Sequence, residues 1–247
     1  MERGAVQLPT LEGRTGRLKV LEGSFNEFLD RSDSDPSLAR HRWRIKLALA
    51  EIALAASEPG VARQRLEAAI AEAPADDEAS LRRLTRAQVL ICLLGSGQQG
   101  LGVTESELAE TETALTSLPP EDRETKRLQA ALQIATARMK GRQGDASGAL
   151  DSYSTAFSSM TELCEEQPLL AALRVWRARG YTEAATAAHG EGVVDAALLL
   201  REQAAVELME LLERHPNRAD VQVELSVSFG AIAEAALESG DRERAED

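Results

Sequence analysis

The side chains that most often carry chemistry are sparse in this sequence and stand apart from one another. His41, His189 and His215 are its three histidines. They show no HExxH or other paired spacing that would set two imidazoles on one helix face. His215 precedes Pro216, the setting of a polar turn residue. Cys92 and Cys164 have no CxxC partner, so buried apolar packing is expected in preference to a disulfide. The run GSGQQGLG at 95–102 is rich in glycine amides, but a helical pattern precedes it and no GK[ST] follows, so it lacks the setting of a phosphate loop. The DSD at 33–35 has neither the glycine nor the closing glutamate of a calcium loop. No serine stands in a GxSxG elbow, and no glycine-rich kinase loop, HRD or DFG motif occurs. The residues predict no catalytic centre, no metal site and no cofactor: the chain reads as a non-enzyme.

What the sequence does repeat is punctuation. Pro120, Pro168 and Pro216 are 48 residues apart, and so are Gly144, Gly192 and Gly240. Proline suits a first helical turn and glycine the position just past a helix end. A period of this size therefore predicts an array of antiparallel helix pairs, a solenoid. Residues 1–10 are expected to be a disordered lead and 11–247 a single helical repeat domain. It opens with an extra helix at 11–31, where Leu18, Leu21, Phe25, Phe28 and Leu29 share one stripe. Helix pairs are expected at 36–73, 76–118, 121–166, 168–214 and 217–247. Asp35 and Pro36 are expected to be the N-cap and first residue of the helix at 36–57. The last pair stops seven residues into its second helix, so the chain reads as a piece of a longer protein or as one that self-associates through its terminal repeat.

Composition agrees with helices. The hydrophobic fraction is 43% but aromatics are only 3%, so the core must be built from Ala, Leu, Val and Ile. A net charge of −13 opposes general nucleic-acid binding, which depends on cations that neutralise phosphate. No apolar run is long enough to cross a bilayer, so no membrane contact is expected within the chain. MERGAVQLPT lacks the apolar centre of a secretory leader.

Two resemblances follow from these residues. GDASGALDSYSTAF at 144–157 resembles the turn and second helix of a tetratricopeptide repeat, with Ala149, Tyr153 and Ala156 at that family's small, aromatic and small positions. Ala233 and Ala245 fall at small positions of the final repeat. The period exceeds the 34 residues usual for that family, and the helices at 76–96 and 121–142 lack its usual aromatic. The resemblance implies a right-handed superhelix whose first helices line a concave groove. The stretches 18–53 and 211–241 are similar to the C-terminal repeat region of planctomycete-type bacterial serine/threonine protein kinases. That implies a regulatory or sensing region, extracytoplasmic in those kinases; without it a cytoplasmic protein is expected.

If first helices line a groove, that groove is basic. Those at 36–57, 121–142 and 168–189 carry thirteen Lys and Arg against five acids, whereas the second helices at 104–118 and 145–166 carry nine acids and no base. Arg42, Trp43, Lys46, Arg86, Arg138, Arg142, Arg174, Arg177 and Tyr181 are the candidate groove residues, with a protein or acidic peptide as partner held by arginine forks. The competing reading is a mixed surface whose opposite charges stabilise helix packing, with Trp43, Trp176 and Tyr181 as packing rings. An oligomerising stalk and a small-ligand sensor are the alternative functions.

Overall fold

The computed structural model describes residues 11–32, 35–56, 58–73, 78–97, 102–167 and 171–239. The described residues form ten α-helices and no strand: α1 (Leu11–Ser32), α2 (Ala39–Ala55), α3 (Pro59–Ala71), α4 (Glu78–Gly97), α5 (Glu105–Thr116), α6 (Arg123–Arg142), α7 (Ala146–Glu166), α8 (Ala171–Gly190), α9 (Val194–Arg214) and α10 (Ala219–Ser239). The fold is an all-α array of helix pairs. The lead at 1–10, Asp33, Ser34, Pro168, part of the glycine-rich run and the tail from Gly240, with Ala245, lie outside the described residues.

The helical turn expected from Pro36 is present, but it is 3-10 and not α. Pro36–Leu38 form a 3-10 turn, and α2 begins at Ala39 after Leu38, which makes no side-chain cap. Asp35 accepts from the Ser37 amide at 2.9 Å and its hydroxyl at 2.7 Å. Its carboxylate thus caps the 3-10 turn that opens at Pro36, and α2 itself follows one turn later.

The residues gather into two compact units, one up to Leu94 and one from Gly95. In the first, Ala50 of α2, Leu66 of α3, and Ala87 and Ile91 of α4 form a buried cluster. Arg65 of α3 donates to the Leu49 carbonyl at 2.9 Å and pairs with Glu22 of α1.

In the second unit each helix packs on the next. The turns after α6 and α8 have one construction. Gly144 and Gly192 take positive φ of 80° and 74°, and the next residues, Asp145 and Val193, donate to the Lys140 and Ala188 carbonyls, both at 3.0 Å. This is a left-handed glycine closing a helix end, satisfying carbonyls that would otherwise be orphaned. Ala149 and Ala156 of α7 and their counterparts Ala197 and Ala204 of α9 are all fully buried, as suits small side chains between packed helices. Val175, Ala205, Leu208, Leu211, Val221 and Leu225 fill the space between α8, α9 and α10.

Candidate functional site

The candidate residues of the first unit are engaged within it. Arg42 donates to the Ser32 and Asp35 carbonyls, each at 2.6 Å, and so holds the exit of α1 against α2. Lys46 pairs with Glu72, and Arg86 of α4 reaches Glu51 of α2 at 3.2 Å. Trp43 is fully buried. It is therefore a packing residue and offers no ring to a surface partner.

The second unit uses its arginines in the same manner and with better geometry. Arg138 of α6 grips Glu183 of α8 through Nε at 2.8 Å and Nη2 at 2.6 Å, a bidentate fork. The Tyr153 hydroxyl donates to the same carboxylate at 3.3 Å. Burial works against the Arg138 charge, but the hydrogen bond and field of Glu183 more than restore it, so its pKa lies above the ordinary guanidinium value. Burial and the Glu183 charge together push the Tyr153 phenol well above its usual range. Arg142 donates to the Gly95 carbonyl at 3.0 Å and to that of Ser96.

Farther along, Glu207 of α9 has a side chain only 6% exposed. It accepts from Arg174 at 3.0 Å and from both Nε and Nη2 of Arg177, at 2.9 and 2.6 Å. Arg174 also reaches Glu210 at 2.6 Å, and Arg177 donates to the Thr161 hydroxyl at 3.0 Å. Arg179 of α8 pairs with Glu224 of α10 at 2.6 Å. These arginines of α6 and α8 thus act as staples. Arg138 and Arg179 each join one first helix to the next, while Arg174 and Arg177 join a first helix to its second.

Tyr181, the candidate aromatic, packs tilted on Phe157 with ring centroids 4.3 Å apart, and Phe157 lies against Tyr153 at 6.0 Å. Gly180 makes room for this stack, because a Cβ there would lie 2.8 Å from Phe157 Cε1. Beside the Arg138–Glu183 fork an open furrow of about 710 Å³ runs between α6 and α8, its walls kept low by Ala137, Gly141, Ala187 and Gly190. Among the described residues no three His, Cys, Asp or Glu side chains converge as a metal site would require. No described helix is long and apolar enough to cross a membrane.

Sequence reasoning found the cations and missed their acceptors. Glu183 is the one acid of α8, and Glu207 is one of five in α9, with nothing in the local pattern to mark either. The usable signal was interval: Arg138 to Glu183 and Arg179 to Glu224 are both 45 residues, just short of one repeat, as expected for side chains leaning across neighbouring first helices.

No family model matches this sequence, and no curated protein matches it. Among solved structures, it resembles BtubC (BKLC) from P. vanneervenii at 16% identity and a TM-score of 0.65, over 96% of this chain and 87% of that one. A de novo designed helical repeat protein aligns with 96% of this chain and 99% of its own at 17% identity, but its TM-score of 0.31 carries no weight. The likeness to BtubC bears on the fold alone, and with the turns and staples above it establishes an all-α helical repeat protein.

Proposed function

We propose that this chain is a non-catalytic scaffold that holds a protein partner along the surface of its first helices. The observation that carries this reading is the furrow between α6 and α8. Its flanking helices are already fixed by the Arg138–Glu183 fork, while small residues leave its floor open. A partner settling there would lose entropy, but the receptor would lose little. Arg138, Arg142, Tyr153 and Glu183 around it are already engaged within the chain, so shape and the low apolar walls would govern recognition more than these charges.

Filling the furrow tests this directly. Peptides selected by display against the full chain should bind Ala187→Trp at least about tenfold more weakly while binding Ser158→Trp, on an exposed face of α7, unchanged. Peptides that bind both variants alike would overturn the furrow as the site.

The finer identity rests on resemblance. The small residues Ala149 and Ala156, with their buried counterparts, support a tetratricopeptide-like array. The stretches 18–53 and 211–241 support the regulatory repeat region of a bacterial membrane serine/threonine kinase, with an extracytoplasmic location. A reading frame that places a kinase and a membrane helix upstream would sustain this; a frame with neither would remove it.

A second reading, self-association, is favoured by α10, where Val223, Val227 and Leu237 are 61%, 54% and 61% exposed. Sedimentation of wild type against Val223→Asp/Val227→Asp distinguishes it: a mass that rises with concentration only in the wild type supports it.

A further inference from the structure

A second cleft lies in the N-terminal unit, between α2 and α4, and its charge differs from that of the furrow. It holds about 190 Å³, room for one aliphatic side chain and well short of the pockets that enclose whole cofactors. Leu47, Ala87 and Leu90 supply apolar walls. Arg44, Arg83 and Arg86 stand at its edge with a single acid, Glu51. Both helices present this set at helical spacing: Arg44, Leu47 and Glu51 on α2, and Arg83, Arg86 or Ala87, and Leu90 on α4.

These cations differ from those of the second unit. Arg86 and Glu51 pair at 3.2 Å with side chains 53% and 55% exposed, a solvated contact that a competing carboxylate displaces at little cost. Arg44 and Arg83 are exposed and have no ion-pair partner among the described residues. Among the described residues the cleft therefore carries two guanidiniums without an ion-pair partner around an apolar slot, on a chain whose net charge is −13.

We propose that this cleft takes an acidic linear peptide, with one leucine-like side chain in the slot and flanking Asp or Glu carboxylates on Arg44, Arg83 and Arg86. The proposal rests on the scaffold reading in making the partner a protein, but it concerns a separate site. A peptide supplies both parts of the match: an apolar anchor of the right size and carboxylates spaced along a backbone, each suited to a guanidinium fork. A nucleic acid supplies neither, since the lining has no aromatic ring for a base and the acidic chain repels a polyanion.

The test uses the full chain and a fluorescein-labelled peptide of about ten residues, Asp and Glu throughout with one central Leu, titrated by anisotropy at low salt. Arg44→Glu/Arg83→Glu should weaken binding at least about tenfold. Lys19→Glu/Arg214→Glu, the same charge change at exposed sites elsewhere, should leave binding within about twofold. Replacing the peptide's Leu by Ser should also weaken it about tenfold. Far-UV circular dichroism of both variants checks that they fold. Equal losses in the two double variants, or indifference to the Leu, would overturn the cleft as the site. Absence of binding up to about 1 mM would overturn it too, and the furrow would still stand or fall on its own peptides.

Discussion

Each position of the α6–α7 pair has a counterpart 48 residues on in α8–α9, and the two pairs keep some counterparts while exchanging others. The turn glycines Gly144 and Gly192, the buried alanines Ala149/Ala197 and Ala156/Ala204, and Leu163/Leu211 are kept. So is one ion pair: Lys126 approaches Glu162 at 3.9 Å, and the counterpart Arg174 meets Glu210 at 2.6 Å. Tyr153, whose hydroxyl reaches Glu183, is replaced by Arg201, which donates to the Ala231 carbonyl at 2.7 Å. Phe157 facing Gly180 becomes Ala205 with Ser228 at the matching position of α10. Exposed Asp151 and Ser158 become exposed Leu199 and Val206. The buried alanines and leucine of these pairs are kept, because a methylene more or less strains or opens a close-packed contact. Polar bridges vary freely provided some donor reaches some acceptor.

The sharpest way to break the comparison is at its buried acid. Glu207 neutralises two arginines, whereas its counterpart Ser159 makes only a 3.4 Å contact to its own helix. Glu207→Ala leaves two mostly buried guanidiniums without their shared carboxylate and should cost about 3 kcal/mol. That lowers the melting temperature by about 10 °C. Ser159→Ala should change stability by less than about 0.5 kcal/mol.

A smaller effect comes from exchanging one contact between repeats. Gly180→Leu imports the residue that α6 has at the matching position, Leu132, and drives it into Phe157. Denaturant melts should show a loss of about 1–3 kcal/mol. Most of it should be recovered when Phe157→Ala, the α9 residue, is added, so the two substitutions should be strongly non-additive.

Capping gives a change of opposite sign in the two pairs. Asp145 accepts from the Gly148 amide at 2.9 Å, whereas Val193 offers no cap to α9. Asp145→Ala should destabilise by about 1 kcal/mol, and Val193→Asp should stabilise by somewhat less.

The smallest expected effect is on the alkaline side. The ordinary phenol value is 10.0, and Tyr153 is raised above it by burial and by Glu183. The folded chain therefore keeps this proton where the unfolded chain loses it. The stability is fully present below pH 10.0 and falls as pH climbs toward the raised folded value. Tyr153→Phe should make the alkaline decline of the melting temperature shallower and leave the curve near neutrality almost unmoved.

The helices were legible because their signals are local. The glycines at 144 and 192 stop α6 and α8 where the spacing predicts, and α1 ends within a residue of its expected end. The entry to α2 was legible in part. The residue types give Asp35 before a turn that starts at Pro36. They do not tell that this turn is 3-10 and that the α-helix waits until Ala39. The candidate groove was half legible. The arginines stand out in the sequence, but whether each is spent inside the fold depends on an acid many residues away in another helix. Trp43 shows the same limit: a ring beside charged residues reads alike whether it faces solvent or core.

The central claim is that the arginines binding α6 and α8 to their neighbours are staples whose acceptors lie within the second unit. A double-mutant cycle on Arg138 and Glu183, with alanine at each and at both, tests it by urea melts. With side chains 25% and 34% exposed, the pair is partly screened, and a coupling of about 1–2 kcal/mol is expected. Additivity within about 0.3 kcal/mol would contradict the account and return these cations to the surface as free charge.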